Sequence, residues 1–221
     1  MIMKKLMLTV SVFALCFASC KNETKEPMET DNSTVVDTTA IEVDTTEMTE
    51  EPMDSVAMQK AWEAYMTPGE AHKRMAADEG KWNDELTFWM SPDAPPEKAT
   101  ATDEVKMIMG GRYQESITTG EMMGMPFEGR STLAYDNVTN EYISTWIDNM
   151  GTGLAVMRGK YDEASKSTTL MGTMVDPMSG KEKQMKQVYT FIDDDTRKIE
   201  MYETGADGNE VKTMEILMKR A

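Results

Sequence analysis

Three turn sequences constrain this chain more than anything else in it. Asp136-Asn137-Val138-Thr139-Asn140, Asp162-Glu163-Ala164-Ser165-Lys166 and Asp193-Asp194-Asp195-Thr196-Arg197 each follow an aromatic residue (Tyr135, Tyr161, Phe191) within two positions. An Asp opens each turn, a hydroxyl lies inside it, and the last residue is able to take a left-handed conformation or to cap the turn. Positions 136, 162 and 193 are 26 and 31 residues apart, room for about two strands between successive turns. Turns of a second kind fall between or after them, at Asp176-Pro177-Met178-Ser179-Gly180 and Gly205-Ala206-Asp207-Gly208. Strands are expected at 98–109, 112–122, 127–135, 141–148, 154–161, 167–175, 181–193, 197–204 and 210–219. One more precedes them, where Trp82, Leu86, Phe88 and Met90 alternate with polar residues and Trp89 points the other way. Short strands with turns alternating between two ends form an antiparallel up-and-down meander. With about ten strands, closure into a barrel is the natural way to remove the unpaired edges.

Two short helices should precede the strands. Val56, Ala57, Met58, Ala61, Trp62, Tyr65 and Met66 recur at helical spacing, so 56–66 reads as an amphipathic helix. Thr67-Pro68-Gly69-Glu70 reads as an N-cap, a proline at the first helical position and an acid in the first turn of a second helix, 68–78, ended by Gly80. His72 sits on that helix and is expected to be partly buried there.

The N-terminus gives an address. Lys4 and Lys5 precede an apolar run, Leu6 to Ala18, too short for a hydrocarbon core of roughly 30 Å but suited to a secretory signal. Its ending, Phe17-Ala18-Ser19-Cys20, resembles the lipobox of bacterial lipoproteins, with Phe17 where Leu is commonest. The resemblance implies cleavage before Cys20, acylation of its thiol and new amino group, and a lasting lipid anchor in the bacterial envelope, the outer membrane before the inner. Residues 1–19 are then signal, 20–55 the lipidated cysteine and tether, and 56–221 the barrel domain.

Residues 21–55 hold eleven acids, two lysines, eight threonines and no aromatic residue. Such a segment cannot bury enough surface to offset chain entropy, and its like charges extend it. Within or next to it, Asp37-Thr38-Thr39, Asp44-Thr45-Thr46 and Asp54-Ser55-Val56 resemble the Asp-Ser/Thr acceptor of bacterial O-glycosylation systems, which makes Thr38, Thr45 and Ser55 candidate glycosylation sites.

Composition closes several functional classes. Lys plus Arg is 23 against 39 Asp plus Glu, a net charge of −16, which repels phosphate backbones and argues against nucleic acid as a partner. Cys16 and Cys20 are the two cysteines and His72 the one histidine, so neither a disulfide framework, a His-cluster zinc site nor a Ser-His-Asp triad is expected. There is no nucleophile elbow, phosphate loop or dinucleotide fingerprint, and acid pairs such as Glu200 with Glu203 or Glu115 with Glu121 are not singled out by spacing. We therefore expect neither an enzyme nor a cofactor. Methionine is the anomaly, 24 residues of 221. Soft thioethers favour Cu(I), and at strand spacing Met107 with Met109, or Met123 with Met125, share a face. Copper(I) binding is thus an alternative. Methionines are equally frequent in the signal and tether, however, which points to a compositional habit and to core or cavity lining.

Longer stretches resemble a known family. Thr67-Pro68-Gly69-Glu70-Ala71-His72, Gly110-Gly111-Arg112-Tyr113, the run Gly120 to Gly129, Ala134-Tyr135-Asp136-Asn137, the run Ser144 to Gly153 and Met214-Glu215-Ile216 are similar to the bacterial domain-of-unknown-function family numbered 1579. The likeness covers roughly residues 62–219. It implies a lipocalin-like barrel and no reaction, in line with the strand count.

The reading that follows is a mainly β, antiparallel, about ten-stranded lipocalin-like barrel that binds a small apolar or amphipathic molecule. Trp89, Met123, Met125, Phe127, Tyr142, Trp146 and Met150 are the expected wall and mouth residues. On the strand 141–148, Tyr142, Ser144, Trp146 and Asp148 should face the lumen, with Ile143, Thr145 and Ile147 packed under helices or loops. A filled barrel acting as a structural or interaction module is the contrary possibility, and an interior space of roughly 300 Å³ or more separates the two. The anchor itself is tested by Cys20→Ser, which should move the protein from the membrane to the soluble fraction and abolish acyl labelling.

Overall fold

Inward and outward side chains alternate along ten consecutive strands, and this alternation closes the sheet on itself. The computed structural model describes residues 54–91, 95–205 and 208–221. Cys20, Thr38 and Thr45 lie outside the described residues. The strands are β1 (Gly80–Phe88), β2 (Glu97–Ile108), β3 (Tyr113–Met122), β4 (Met125–Asp136) and β5 (Glu141–Asp148), then β6 (Ala155–Asp162), β7 (Ser167–Val175), β8 (Glu182–Asp193), β9 (Thr196–Thr204) and β10 (Glu210–Arg220). Each pairs antiparallel with its neighbours in sequence, and β1 pairs with β10, from Trp82 opposite Arg220 to Phe88 opposite Met214, so the barrel is closed. The ten expected strands are all present, with boundaries within a few residues.

The Asp-opened turns form as their chemistry dictates. The carboxylate of Asp136 accepts from the backbone N–H of Val138 at 2.8 Å, and that of Asp162 from Ala164 at 3.1 Å. Asn140 and Lys166 then adopt positive φ, 55° and 50°. Asp193 accepts from Asp195 at 3.0 Å, but there β8 and β9 absorb the turn in a register shift between Phe191 and Asp193 instead of a left-handed residue. All three lie at one end of the barrel.

Before the strands come α1 (Ser55–Met66) and α2 (Glu70–Ala76). Two expectations need correction. The start of α2 is capped at Gly69, not Thr67. Thr67 ends α1, its hydroxyl donating to the Glu63 carbonyl at 2.6 Å, while the Gly69 N–H donates to His72 Nδ1 at 3.0 Å. And α1, though helical and periodic, buries none of its residues; Trp62 is 57% exposed. One contact ties its end to the barrel, the Asn137 amide donating to the carbonyls of Ala64, Tyr65 and Thr67. Ser55, the third glycosylation candidate, is the exposed first residue of α1. Among the described residues no helix is long and apolar enough to cross a membrane.

By contrast, α2 plugs the Asp-turn end. Ala71 and Met75 are buried against Tyr142, Met157 and Leu170, and His72 is buried as well. His72 meets the Tyr135 ring edge-on at 5.8 Å, and burial, assisted by Arg112, lowers its pKa, so it stays neutral near pH 7. A helix end leaves carbonyls without partners, and the barrel supplies donors for them. Gln114 Nε2 donates to Met75, Trp82 Nε1 to Asp78 and Arg220 to Ala77, at 2.8, 2.8 and 2.9 Å. Just beyond the helix, Asp78 accepts from Arg197 Nε at 2.8 Å and from the Tyr189 hydroxyl at 2.9 Å, with Asp78 and Arg197 both almost fully buried. Arg197 also donates to the Asp193 carbonyl. Trp82, fully buried, packs with Val105 and Met218 beneath this pair.

A buried charge left without its partner is far more costly than the intact pair is stabilising. Arg197→Met should therefore lower unfolding free energy by about 3–5 kcal/mol in urea titrations. Adding Asp78→Leu to that variant should recover part of the loss.

Candidate ligand-binding site

The plug fills only one end. Between it and the opposite mouth the inward faces enclose a cavity of about 370 Å³, with a smaller space of about 100 Å³ directly under α2. The interior is not filled by side chains, and the larger space exceeds the threshold set above for a ligand-holding barrel.

Strand register decides which residues reach it. On β5 the mixed face looks inward. Ser144, Trp146 and Asp148 line the large cavity, and Tyr142, 3% exposed, lines the small one, where its hydroxyl accepts from Arg74 Nε at 3.3 Å. The Trp146 ring lies over Gly129 on β4, where an added methyl would come within 2.3 Å of it, and stacks on Phe127 at 6.4 Å and 24°. Gly129 is thus a glycine because an indole occupies the space of its side chain. The indole N–H donates to Asp148 at 2.8 Å, and the other Asp148 oxygen accepts from the backbone of Met150 and Gly151, fixing the loop at the mouth. The opposite face of β5 does not pack under helices or loops: Ile147 is 48% exposed.

Of the seven residues expected at the site, Phe127, Trp146 and Met150 line the large cavity and Tyr142 the small one. Three are placed elsewhere. Trp89 follows the last residue of β1, its N–H held by the Thr213 carbonyl and Lys212 Nζ 5.5 Å from its ring centre; Lys212 pairs with Glu200 and Glu215, so Trp89 stands on the outer side. Met123 is the first turn residue of the β3–β4 hairpin, at φ 52° with Gly124 at 74°, and is 69% exposed. Met125, opposite Met122, is 46% exposed at the rim and outside the lining. The two-residue turn is the physical reason. Because it spends Met123 and Gly124 on reversal, Met122 is the residue that faces inward. The copper pairs dissolve with it: Met123 lies in the turn while Met125 begins β4. Met109 likewise leaves the sheet at φ 51°, while Met107 remains half-buried on β2.

Eight of the described residues lining the large cavity are methionines, Met122, Met150 and Met174 near the mouth and Met157, Met185, Met201, Met214 and Met218 deeper in. The wall is therefore apolar and easily reshaped, since unbranched thioethers adapt their rotamers to what they touch. Two residues missed in the sequence interrupt it. Asp84 on β1 and Asp103 on β2 point inward, 4% and 8% exposed. Asp103 accepts from the Ser116 hydroxyl and, at 3.2 Å, from the Thr118 hydroxyl. Asp84 has no donor for its buried Oδ1. Burial, with Asp103 adding to it, pushes the Asp84 carboxyl up to about 7; burial also raises Asp103, against the pull of the two hydroxyls. A signal for them existed. Asp84 sits between Trp82 and Leu86 in the alternation that defines the buried face of β1, and an acid in phase with such residues is buried or misplaced.

A closed ten-stranded antiparallel barrel with an open internal cavity is the class of protein these features define. Residues 67–220 match the family described as Protein of unknown function (DUF1579), and the chain belongs to it. None of the curated proteins matches the chain. Among solved structures it is similar to Rv2717c from M. tuberculosis, with a TM-score of 0.51 and 14% identity over 70% of this chain and 99% of that one. It is also similar to the S-type phycobiliprotein lyase CPES from Guillardia theta, with a TM-score of 0.47 and 10% identity over 73% of this chain and 96% of that one. The first of these likenesses extends to the fold and no further.

The unpartnered carboxyl has a measurable consequence. Its folded pKa, pushed up to about 7, lies above the ordinary aspartate value of 3.8, so between these values the native state binds more protons than the unfolded one. Stability contributed by the neutral form is present in acid and is lost as pH rises through about 7. Asp84→Asn removes that loss. Relative to the unsubstituted protein, the variant should gain stability between pH 5 and pH 8 in urea unfolding. The ceiling over that interval is about 2.7 kcal/mol, the two pH units from 5 to about 7 at about 1.36 kcal/mol each. Any cost of the buried amide is the same at both pH values.

Proposed function

We propose that this protein binds one small, largely apolar molecule in the barrel lumen, without chemistry, at the bacterial envelope to which Cys20 would anchor it. The observation that supports this reading is the cavity of about 370 Å³, lined by methionines, Phe127, Trp146 and aliphatic side chains. Its volume lies within the range of pockets that hold small ligands, roughly 300–1,000 Å³. An apolar space of this size forfeits dispersion contacts that a ligand would restore. The lining at the mouth, Met150 and Met174, is 43% and 39% exposed and gives an entry route.

Titration of the Cys20→Ser chain with N-phenyl-1-naphthylamine tests the reading. Probe fluorescence should rise saturably at one site per chain, with energy transfer from Trp146 that Trp146→Phe removes. Ala155→Phe, which places a ring on the lumen side opposite Trp146, should weaken binding by tenfold or more at unchanged stability. Unsaturable fluorescence, or equal affinity in the filled variant, would place the probe outside the barrel and end the proposal.

A further inference from the structure

The large cavity is apolar in area but not neutral in charge. Among the described residues its lining holds three carboxylates, Asp84, Asp103 and Asp148, and no lysine, arginine or histidine. Asp148 is occupied by the Trp146 indole and the loop backbone. Asp103 is held by two hydroxyls. Asp84 alone is left with a buried oxygen that nothing donates to. Its neighbours offer no cation: Trp82 and Leu86 flank it on β1, Met218 faces it from β10, Ala101 faces it from β2, and Asp103 lies one rung away. Arg197, the nearest inward arginine on β9, is already committed to Asp78.

Buried polar groups are satisfied in folded proteins with few exceptions, and buried charges are paired. An acid that remains unpaired on the wall of a cavity is a place for a donor that comes with the ligand. We infer that the ligand of this cavity is a cationic amphiphile, with an apolar body among the methionines and a protonated amine or amidine seated between Asp84 and Asp103. The inference rests on the small-molecule reading above and adds the charge of the head group to it. A bare metal ion fits the site less well. Among the described residues no three acids, cysteines or histidines converge. The space around the carboxylates, moreover, is a long apolar lumen, not a compact cage. An anionic amphiphile would face two carboxylates, while the cation of the adjoining smaller space, Arg74, is held on the Tyr142 hydroxyl and the Tyr161 ring, so the site discriminates against fatty acids by repulsion. Seating the cation also ionises Asp84, since an opposite charge favours the charged form. Ligand uptake and proton release are therefore coupled.

Three probes of one length separate the possibilities: decylammonium, 1-decanol and decanoate, titrated calorimetrically into the Cys20→Ser chain below their micellar concentrations at pH 8. Decylammonium should bind at least about tenfold tighter than decanol and decanoate more weakly than either, the size of effect that a desolvated charge pair supports. At pH 6.5 the heat of decylammonium binding should vary with the ionisation enthalpy of the buffer, reporting the released proton; at pH 5 the advantage over decanol should shrink. Asp84→Asn should abolish the preference of decylammonium over decanol. Equal binding of decylammonium and decanol, or a preference that survives Asp84→Asn, overturns the head-group assignment and leaves small-molecule binding standing. Failure of all three probes to bind overturns both. The ranking on the unsubstituted lumen decides the matter even if the Asp84 variant does not fold.

Discussion

Asp78 and Arg197 meet 2.8 Å apart inside the closed end of the barrel, and the usable interior depends on that contact. The pair fastens the end of α2 to β9, and Tyr189 fastens it to β8. With donors from Gln114, Trp82 and Arg220 on its last carbonyls, the short helix becomes a stopper held by side chains from several strands. A seven-residue helix has too few internal hydrogen bonds to persist alone. Held in this way, it gives the lumen a floor. The other end has no such element among the described residues, and there the cavity reaches the surface through Met150 and Met174.

Burial of acids is handled in two ways within a few residues of each other. Asp78 is desolvated and fully satisfied, by a guanidinium and a phenol, and serves the fold. Asp84 is desolvated and left with an oxygen unpaired, its carboxyl pushed up to about 7. In the first case the partners offset much of the desolvation that still raises the Asp78 carboxyl; in the second nothing offsets it for the buried oxygen. Strain of this sort is retained where a site needs it. The methionine wall complements it. A lining of thioethers is easily reshaped, whereas the polar groups of Asp84, Asp103, Ser116 and Thr118 stand at fixed positions in it.

Membership of the family brings the barrel with it, and the barrel brings no activity, since one fold hosts many functions. What distinguishes this chain is the composition of its inward face. A ten-stranded closure leaves more room than the eight strands that side chains can fill. Here Gly129, Gly159 and Gly172 further reduce what projects from the wall. At Gly159 an added methyl would strike the Thr169 carbonyl at 1.8 Å, and at Gly172 that of Val156 at 2.4 Å, so neighbouring backbone presses against both positions.

The number of strands, their order and the Asp turns were legible in the sequence because they are local. A period of two, an aromatic and an Asp within a few residues carry their own physics, and β4 through β9 follow from them. The inward face of β5 was legible for the same reason, as was the placing of Phe127, Trp146, Tyr142 and Met150 on the barrel's interior. Met123 and Met125 were not: the two-residue turn at Met123-Gly124 takes Met123 out of both strands, and Met125, in phase with Phe127, stays exposed at the rim. The outward side of Trp89 was already present in the alternation of β1, which the expectation of a wall residue there set aside. Asp84 and Asp103 carried a faint local signal, acids in phase with apolar residues. Only closure of β1 onto β10 and β2 turned that signal into a pair of carboxylates facing an apolar lumen. The pairing of Asp78 with Arg197 was invisible, because it joins residues 119 apart through the barrel. Sequence determined the strands; tertiary structure decided which acids are satisfied, and so where a ligand can be held.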